Sequence, residues 1–224
     1  MKLYHHPVST TSRPVLWFAR EHGLDLDYEV VDLFTGEHLG DRFAALNPNC
    51  LVPLLEDGDF RLTESSAILK YLADRIGSPA YPTELKARAR VNEAMDWFNA
   101  NLYRDFGYGL LYPQVYPHHR RSSEAVQAAT IAWGAEKAGR WLGILDGHLL
   151  GPDKPFLCGA EITLADYLAA PILTAGDLIA YDFSPYPNVS RWLDRITARP
   201  TWKEVNAAFD GLVASVRSAT AAAA

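Results

Sequence analysis

Three helix breakers within a short span, Gly77, Pro79 and Pro82 in the stretch GSPAYPT, set the strongest constraint on how this 224-residue chain can fold. Proline lacks a backbone N–H and its ring clashes with the preceding turn, so no helix runs through 77–83. The two sides of the break differ. Before it, short runs suited to strands alternate with helical runs. After it, apolar residues recur at three- and four-residue steps almost throughout. The chain therefore divides into residues 1–77, a linker over 78–83 and a helical domain over 84–213. The Ala-rich tail over 214–224 has no apolar period and is expected to be disordered.

In the first part, residues 2–5 (KLYH) read as a buried strand and 12–22 as a helix, with Val15, Leu16, Phe18 and Ala19 on one face and Gly23 as its C-cap. Residues 28–33 read as a second strand and 38–46 as a short helix. Residues 52–55 and 60–62, joined by the Asp57-Gly58 turn, form a hairpin. Thr63 is a plausible N-cap for a helix over 64–76. This β-α-β-α-β-β-α order implies a mixed four-stranded α/β sheet. In the second part, helices are expected over 84–106, 122–150, 164–179, 189–197 and 202–209, forming an all-α bundle. Gly107 and Gly109 are expected to loosen the first of these and give a mobile rim.

Composition narrows the partners. Hydrophobic residues make up 49% of the chain and charged residues 21%, ordinary for a soluble globular protein with a sizeable core. The net charge of −6 argues against nucleic acid or an anionic membrane surface as the main partner. No stretch approaches the roughly 20 apolar residues that span a bilayer, and MKLYHHPVST lacks the apolar run of a signal peptide. Cys50 and Cys158 stand far apart, in no CxxC or metal-ligand spacing. A reduced, cytoplasmic protein without a metal is the expectation.

Four short segments carry chemistry. Ser9-Thr10-Thr11-Ser12-Arg13 follows the first strand and opens the first helix, where free N–H groups and the positive dipole end lower the pKa of a nearby thiol. A hydroxyl there can donate a hydrogen bond to a thiolate, with Ser9 the first candidate and Ser12 the second. Capping alone would also explain these residues. Leu51-Val52-Pro53-Leu54 is either a strand-opening proline or, with a cis Val52-Pro53 bond, a backbone edge that pairs with a peptide. Thr63-Glu64-Ser65-Ser66 is either a helix cap or a site for a free amino-acid end. In the second case Ser65 and Ser66 face a carboxylate and Glu64 an ammonium. Thr163-Leu164-Ala165-Asp166 reads as a structural capping box. The aromatic stretch 103–117 supplies Tyr103, Phe106, Tyr108, Leu111 and Tyr112 as candidates for an apolar wall.

Taken in order, YHHPVSTTSRPV, NPNCLVPLLEDGDFRLTESSAILKYLADR and FLCGAEITLADY resemble the glutathione transferase superfamily over nearly the whole chain. VDLFTGEHLGDRFAALNP is most like its bacterial serine-type, theta-like branch. The resemblance implies a thioredoxin-like N-terminal domain, a helical C-terminal domain and a homodimer. It implies glutathione as co-substrate, a small hydrophobic electrophile as second substrate, and no metal. Carried over by position, Ser9 holds the thiolate and Val52, with Pro53 cis, pairs with the cysteinyl backbone. Glu64 and Ser65 take the γ-glutamyl end, His38 and Leu51 lie toward the glycine end, and Asp166 caps a helix. The branch carries a basic residue where this chain has Leu51. The implied reaction is conjugation of glutathione. The alternatives on the same fold are a non-catalytic glutathione or hydrophobic-ligand binder, and a glutathione-dependent dehalogenase or isomerase.

Overall fold

In the sheet of the first domain, β1 (Lys2–His5) lies inside the order β2-β1-β3-β4, pairing parallel with β2 (Asp27–Val30) and antiparallel with β3 (Leu54–Asp57). The structure is a computed structural model describing residues 1–223, with side chains through Ala219. Strand β4 (Phe60–Leu62) closes the hairpin against β3. Strand β1 is paired along both edges, and both its faces are buried as well. Leu3 joins the main core with Val15, Phe18 and Leu55, and Tyr4 packs on the other face with Val31, Phe43 and Leu54. Helices α1 (Ser12–Glu21), α2 (Asp41–Leu46) and α3 (Ser65–Ile76) complete the thioredoxin-like β-α-β-α-β-β-α arrangement.

Local chemistry moves several boundaries from their expected places. Strand β2 ends at Val30, before the expected residue 33. The Asp32 carboxylate accepts the N–H groups of Phe34 and Thr35 at 2.8 and 3.3 Å, closing a turn in place of a ladder. Strand β3 starts after Pro53, which has no N–H for a neighbour. The helix expected over 38–46 is a 3-10 turn, Glu37–Leu39, followed by α2, because Gly40 between them is extended. Thr63 is not the cap of α3. That position falls to Glu64, at φ 65°, and Gly77, at φ 62°, ends the helix.

The helical domain opens with α4 (Leu85–Trp97), whose N-terminus is capped by the Glu84 carboxylate accepting from Lys86 and Ala87. The helix continues as a π-helical stretch, Phe98–Leu111, into the single turn α5 (Tyr112–Val115). Helix α6 (Glu124–Ile144) likewise runs on as a π-helical turn, Leu145–Leu150. Then come α7 (Leu164–Thr174) with a 3-10 extension over Ala175–Ile179, α8 (Pro187–Thr197) and α9 (Pro200–Ala223). Helix α9 extends well past the expected 202–209, and the segment expected to be disordered from 214 is helical through Ala223. Alanine is the strongest helix former, and the turns before it are already packed by Phe209 and Val213. Ala224 lies outside the described residues. Gly109 lies in the π-helical stretch Phe98–Leu111. It meets Gly134 of α6, where an added methyl would overlap the Gly109 carbonyl and come within 2.7 Å of the Leu110 nitrogen. These two glycines let the helices approach closely.

The domains share one core. Trp17 of α1 lies 4.4 Å from Tyr167 of α7 and 5.0 Å, edge-on, from Trp202 of α9, measured between ring centroids. Arg13 of α1 is fully buried between the domains. It donates to Thr174, to Asn206 Oδ1 and to the Pro171 carbonyl, the last at 2.7 Å, with the Phe209 ring 3.7 Å away. Burial pushes this guanidinium down to about 10, and the polar partners offset part of the cost of burying its charge. This anchor fixes the start of α1 against the helical domain. Among the described residues no helix is long and apolar enough to cross a membrane.

Candidate active site

A cavity of about 460 Å³ opens between the domains at the start of α1. Its floor is Ser9-Thr10-Thr11, a turn held by the Ser9 N–H on the His6 carbonyl and by the Ser9 carbonyl accepting from Ser12 and Arg13. The Ser9 hydroxyl oxygen accepts the Ser12 N–H at 3.2 Å and lies 3.1 Å from Thr11 Oγ1. Thr11 donates its one hydroxyl proton to the Val52 carbonyl at 2.9 Å, so in the Ser9–Thr11 pair Ser9 is the donor. The Ser9 oxygen is thus polarised by a backbone N–H while its own proton rests on an exchangeable neighbour. Ser12, the second candidate, does not line the cavity. It is fully buried, and its Oγ accepts the His6 N–H at 3.4 Å.

The Val52-Pro53 bond is cis, and both residues line the cavity opposite Ser9. The Val52 carbonyl, expected to face a ligand, is shared with Thr11. Glu64 and Ser65 line the adjoining wall. The left-handed φ of Glu64 costs about 1–3 kcal/mol in a non-glycine residue and places it at the start of α3 with no side chain capping the helix. The first N–H groups of α3 and its positive dipole end are therefore left to an anion. His38 and Leu51 line the opposite rim with Leu33 and Phe34. The His38 Nδ1 is buried without a hydrogen-bond partner among the described residues.

The helical domain supplies the remaining wall. Tyr103, Tyr108 and Tyr112 line the cavity, but Phe106 and Leu111 do not. Both are fully buried, Phe106 edge-on to Tyr181 at 5.1 Å. In their place stand Tyr116, His118, His119 and Asn99. The Tyr103 and Tyr112 hydroxyls are 2.6 Å apart. Burial pushes both phenols up, so they remain protonated donors. The wall is aromatic but not purely apolar. Tyr116 belonged to the aromatic stretch read from the sequence; His118 and His119 carried no signal beyond lying next to it.

Thr163 and Asp166 form the expected capping box of α7, away from the cavity. The buried Asp166 also accepts from the Leu157 N–H and the Trp192 indole, both at 2.9 Å, tying α7 to α8. No cysteine lines the cavity, and burial pushes the Cys158 thiol up to about 11. Among the described residues no cluster of His, Cys, Asp or Glu could hold a metal.

The family model described as Glutathione S-transferase, N-terminal domain matches residues 8–75, and the one described as Glutathione S-transferase, C-terminal domain matches residues 114–200. Glutathione S-transferase theta-2 of Homo sapiens is 35% identical over 201 residues, 88% of this chain and 81% of that protein. Glutathione S-transferase theta-1 of Homo sapiens is 36% identical over 204 residues, 88% and 82% of the two chains. The solved structure of human glutathione transferase theta-2, in complex with glutathione and an unknown ligand, superposes with a TM-score of 0.85 at 32% identity. It covers 98% of this chain and 91% of that one.

Proposed function

The chain belongs to the glutathione transferase family, and we propose that it conjugates glutathione to a small electrophile with Ser9 holding the thiolate. The observation that carries this reading is the Ser9 hydroxyl on the cavity floor, polarised by the Ser12 N–H and free to turn from Thr11 to a sulfur anion. In the same cavity the uncapped start of α3 takes the γ-glutamyl carboxylate and Glu64 its ammonium. The Val52 backbone pairs with the cysteinyl residue. The thiol proton passes to solvent. The thiolate then forms a carbon–sulfur bond, and the leaving group departs with its electron pair, or the addition product takes up a proton. Orientation and anion stabilisation are the protein's contributions.

The tyrosine wall favours an electrophile with a planar, apolar body, packed by Tyr108 and Tyr112, and an acceptor atom within reach of a phenol. A homodimer acting in the cytoplasm completes the proposal, with glutathione as co-substrate and no metal. Calorimetric titration with glutathione, joined to turnover assays with a chlorinated aromatic and with an epoxide, tests it. Binding with turnover supports conjugation. Binding without turnover of either electrophile leaves a glutathione carrier as the better account, and no binding at millimolar glutathione removes the premise.

A further inference from the structure

A second cavity, of about 640 Å³, lies between α1, β2 and α9 and shares no lining residue with the one at Ser9. Leu16, Ala19, Leu26 and Val205 give it an apolar lining, and Tyr28 stands edge-on to the His5 ring at 5.7 Å between centroids. His5, at the end of β1, is the polar side chain that faces it from the sheet. The residue is 7% exposed, and its Nδ1 has no hydrogen-bond partner among the described residues. Native structures rarely leave a buried polar atom unpaired. Burial pushes this imidazole down to about 4. Near neutral pH the ring is therefore uncharged, with one donor and one acceptor nitrogen.

The charged residues of the lining set the sign of what can enter. Arg20 is held by Glu204 at 2.6 Å, while Asp25 has no ion pair among the described residues. The lining is thus net negative, and its cation is already engaged.

We propose that this cavity is a second binding site, for a small neutral aromatic molecule that bears a hydroxyl group. Its ring system displaces water from Leu16, Leu26 and Val205 and packs beside Tyr28. Its hydroxyl donates to the bare nitrogen of His5 or accepts from the N–H, so it suits either tautomer. A carboxylate in the same place meets Asp25 with no free cation to offset it. A phenol is no electrophile for a thiolate, so this ligand is held and not turned over.

Calorimetric titration with 2-naphthol tests the site, with S-hexylglutathione present to occupy the cavity at Ser9. Two variants fix the location. Val205→Trp, at a partly exposed position of α9, fills the second cavity, and Tyr108→Ala opens the wall of the first. Binding is expected to weaken about tenfold or more in Val205→Trp and to change less than about twofold in Tyr108→Ala. His5→Phe should weaken it about three- to tenfold, the loss of one neutral hydrogen bond. 2-Naphthoate should bind the unaltered protein about tenfold more weakly than 2-naphthol, through desolvation of its charge near Asp25. Far-ultraviolet circular dichroism establishes that each variant is folded; if His5→Phe is not, Val205→Trp and 2-naphthoate decide. Three results overturn the proposal: no saturable binding of 2-naphthol up to about 1 mM, binding that responds to Tyr108→Ala and not to Val205→Trp, or equal affinities for 2-naphthol and 2-naphthoate.

Discussion

Replacing Ser9 with alanine removes a single oxygen, and the structure sets the size of the result. A hydrogen bond to a charged acceptor contributes about 1.5–3 kcal/mol, while the Ser9 proton must first leave Thr11, a neutral bond of about 0.5–1.5 kcal/mol. The net gain of roughly 1.4 kcal/mol corresponds to about one pKa unit on the bound thiol. The start of α1 adds about 0.3–1 kcal/mol that alanine leaves in place. From a free thiol near 8.5, the bound thiol is expected near 7–7.5 in the unaltered protein and near 8–8.5 in Ser9→Ala. The sign follows directly, because the variant loses thiolate only where pH lies below its own pKa. With saturating glutathione, turnover should fall about tenfold near pH 6.5 and differ by less than about twofold near pH 9. The variant also loses the acceptor for the Ser12 N–H, costing about 1 kcal/mol of stability, which urea unfolding would register separately. Steady-state rates across this pH range, with an electrophile whose chemistry limits turnover, check the argument. An equal loss at both ends, or none at either, refutes it.

Three other perturbations test neighbouring parts of the structure. Thr11→Val removes both the competing acceptor for Ser9 and the donor to Val52. KM for glutathione should rise about three- to tenfold while the bound thiol titrates about half a unit lower, consistent with one neutral hydrogen bond; an unchanged KM would show that Val52 needs no such anchor. Gly134→Ala forces α6 off Gly109 and should cost about 1–3 kcal/mol, read as a lowered urea midpoint. His5 is buried, which pushes its imidazole down to about 4. The unfolded chain binds a proton there from about pH 6.5 downward and the folded chain does not. Stability should therefore fall as pH drops from 6.5 toward 4, by at most about 3 kcal/mol, and His5→Phe should flatten that slope.

The parts of this fold that were legible in the sequence are those decided by neighbouring residues. The Gly77 break and the Thr163–Asp166 box each depend on a few adjacent side chains, and each stands where it was read, whereas the hairpin turn expected at Asp57-Gly58 falls one residue later, at Gly58-Asp59, because Asp57 pairs with Phe60 as the last residue of β3. The boundaries that shifted depend on partners farther off or on backbone geometry. Asp32 closing its own turn shortened β2, and the φ of Glu64 took the cap of α3 from Thr63.

The cavity wall shows the same division. Tyr103, Tyr108 and Tyr112 face the cavity, but richness in aromatics over 103–117 does not separate them from Phe106 and Leu111, which are fully buried. The helix carrying them is π-helical over Phe98–Leu111, which changes the phase of its faces. The packing role of Gly109 was not legible, because a helical period carries no information about the second helix that it meets. Thr11 went unassigned for a related reason: its role appears only when Val52, far along the chain, is brought beside it.

The central claim is that this cavity ionises a thiol through Ser9. The most direct measurement is an ultraviolet titration of the thiolate in the complex of the unaltered protein with glutathione, run beside the Ser9→Ala complex. The account predicts a bound thiol about 1–1.5 units below the free value of roughly 8.5, with most of that shift lost in the variant. A bound thiol that titrates like the free one, or a shift that survives in Ser9→Ala, would contradict it.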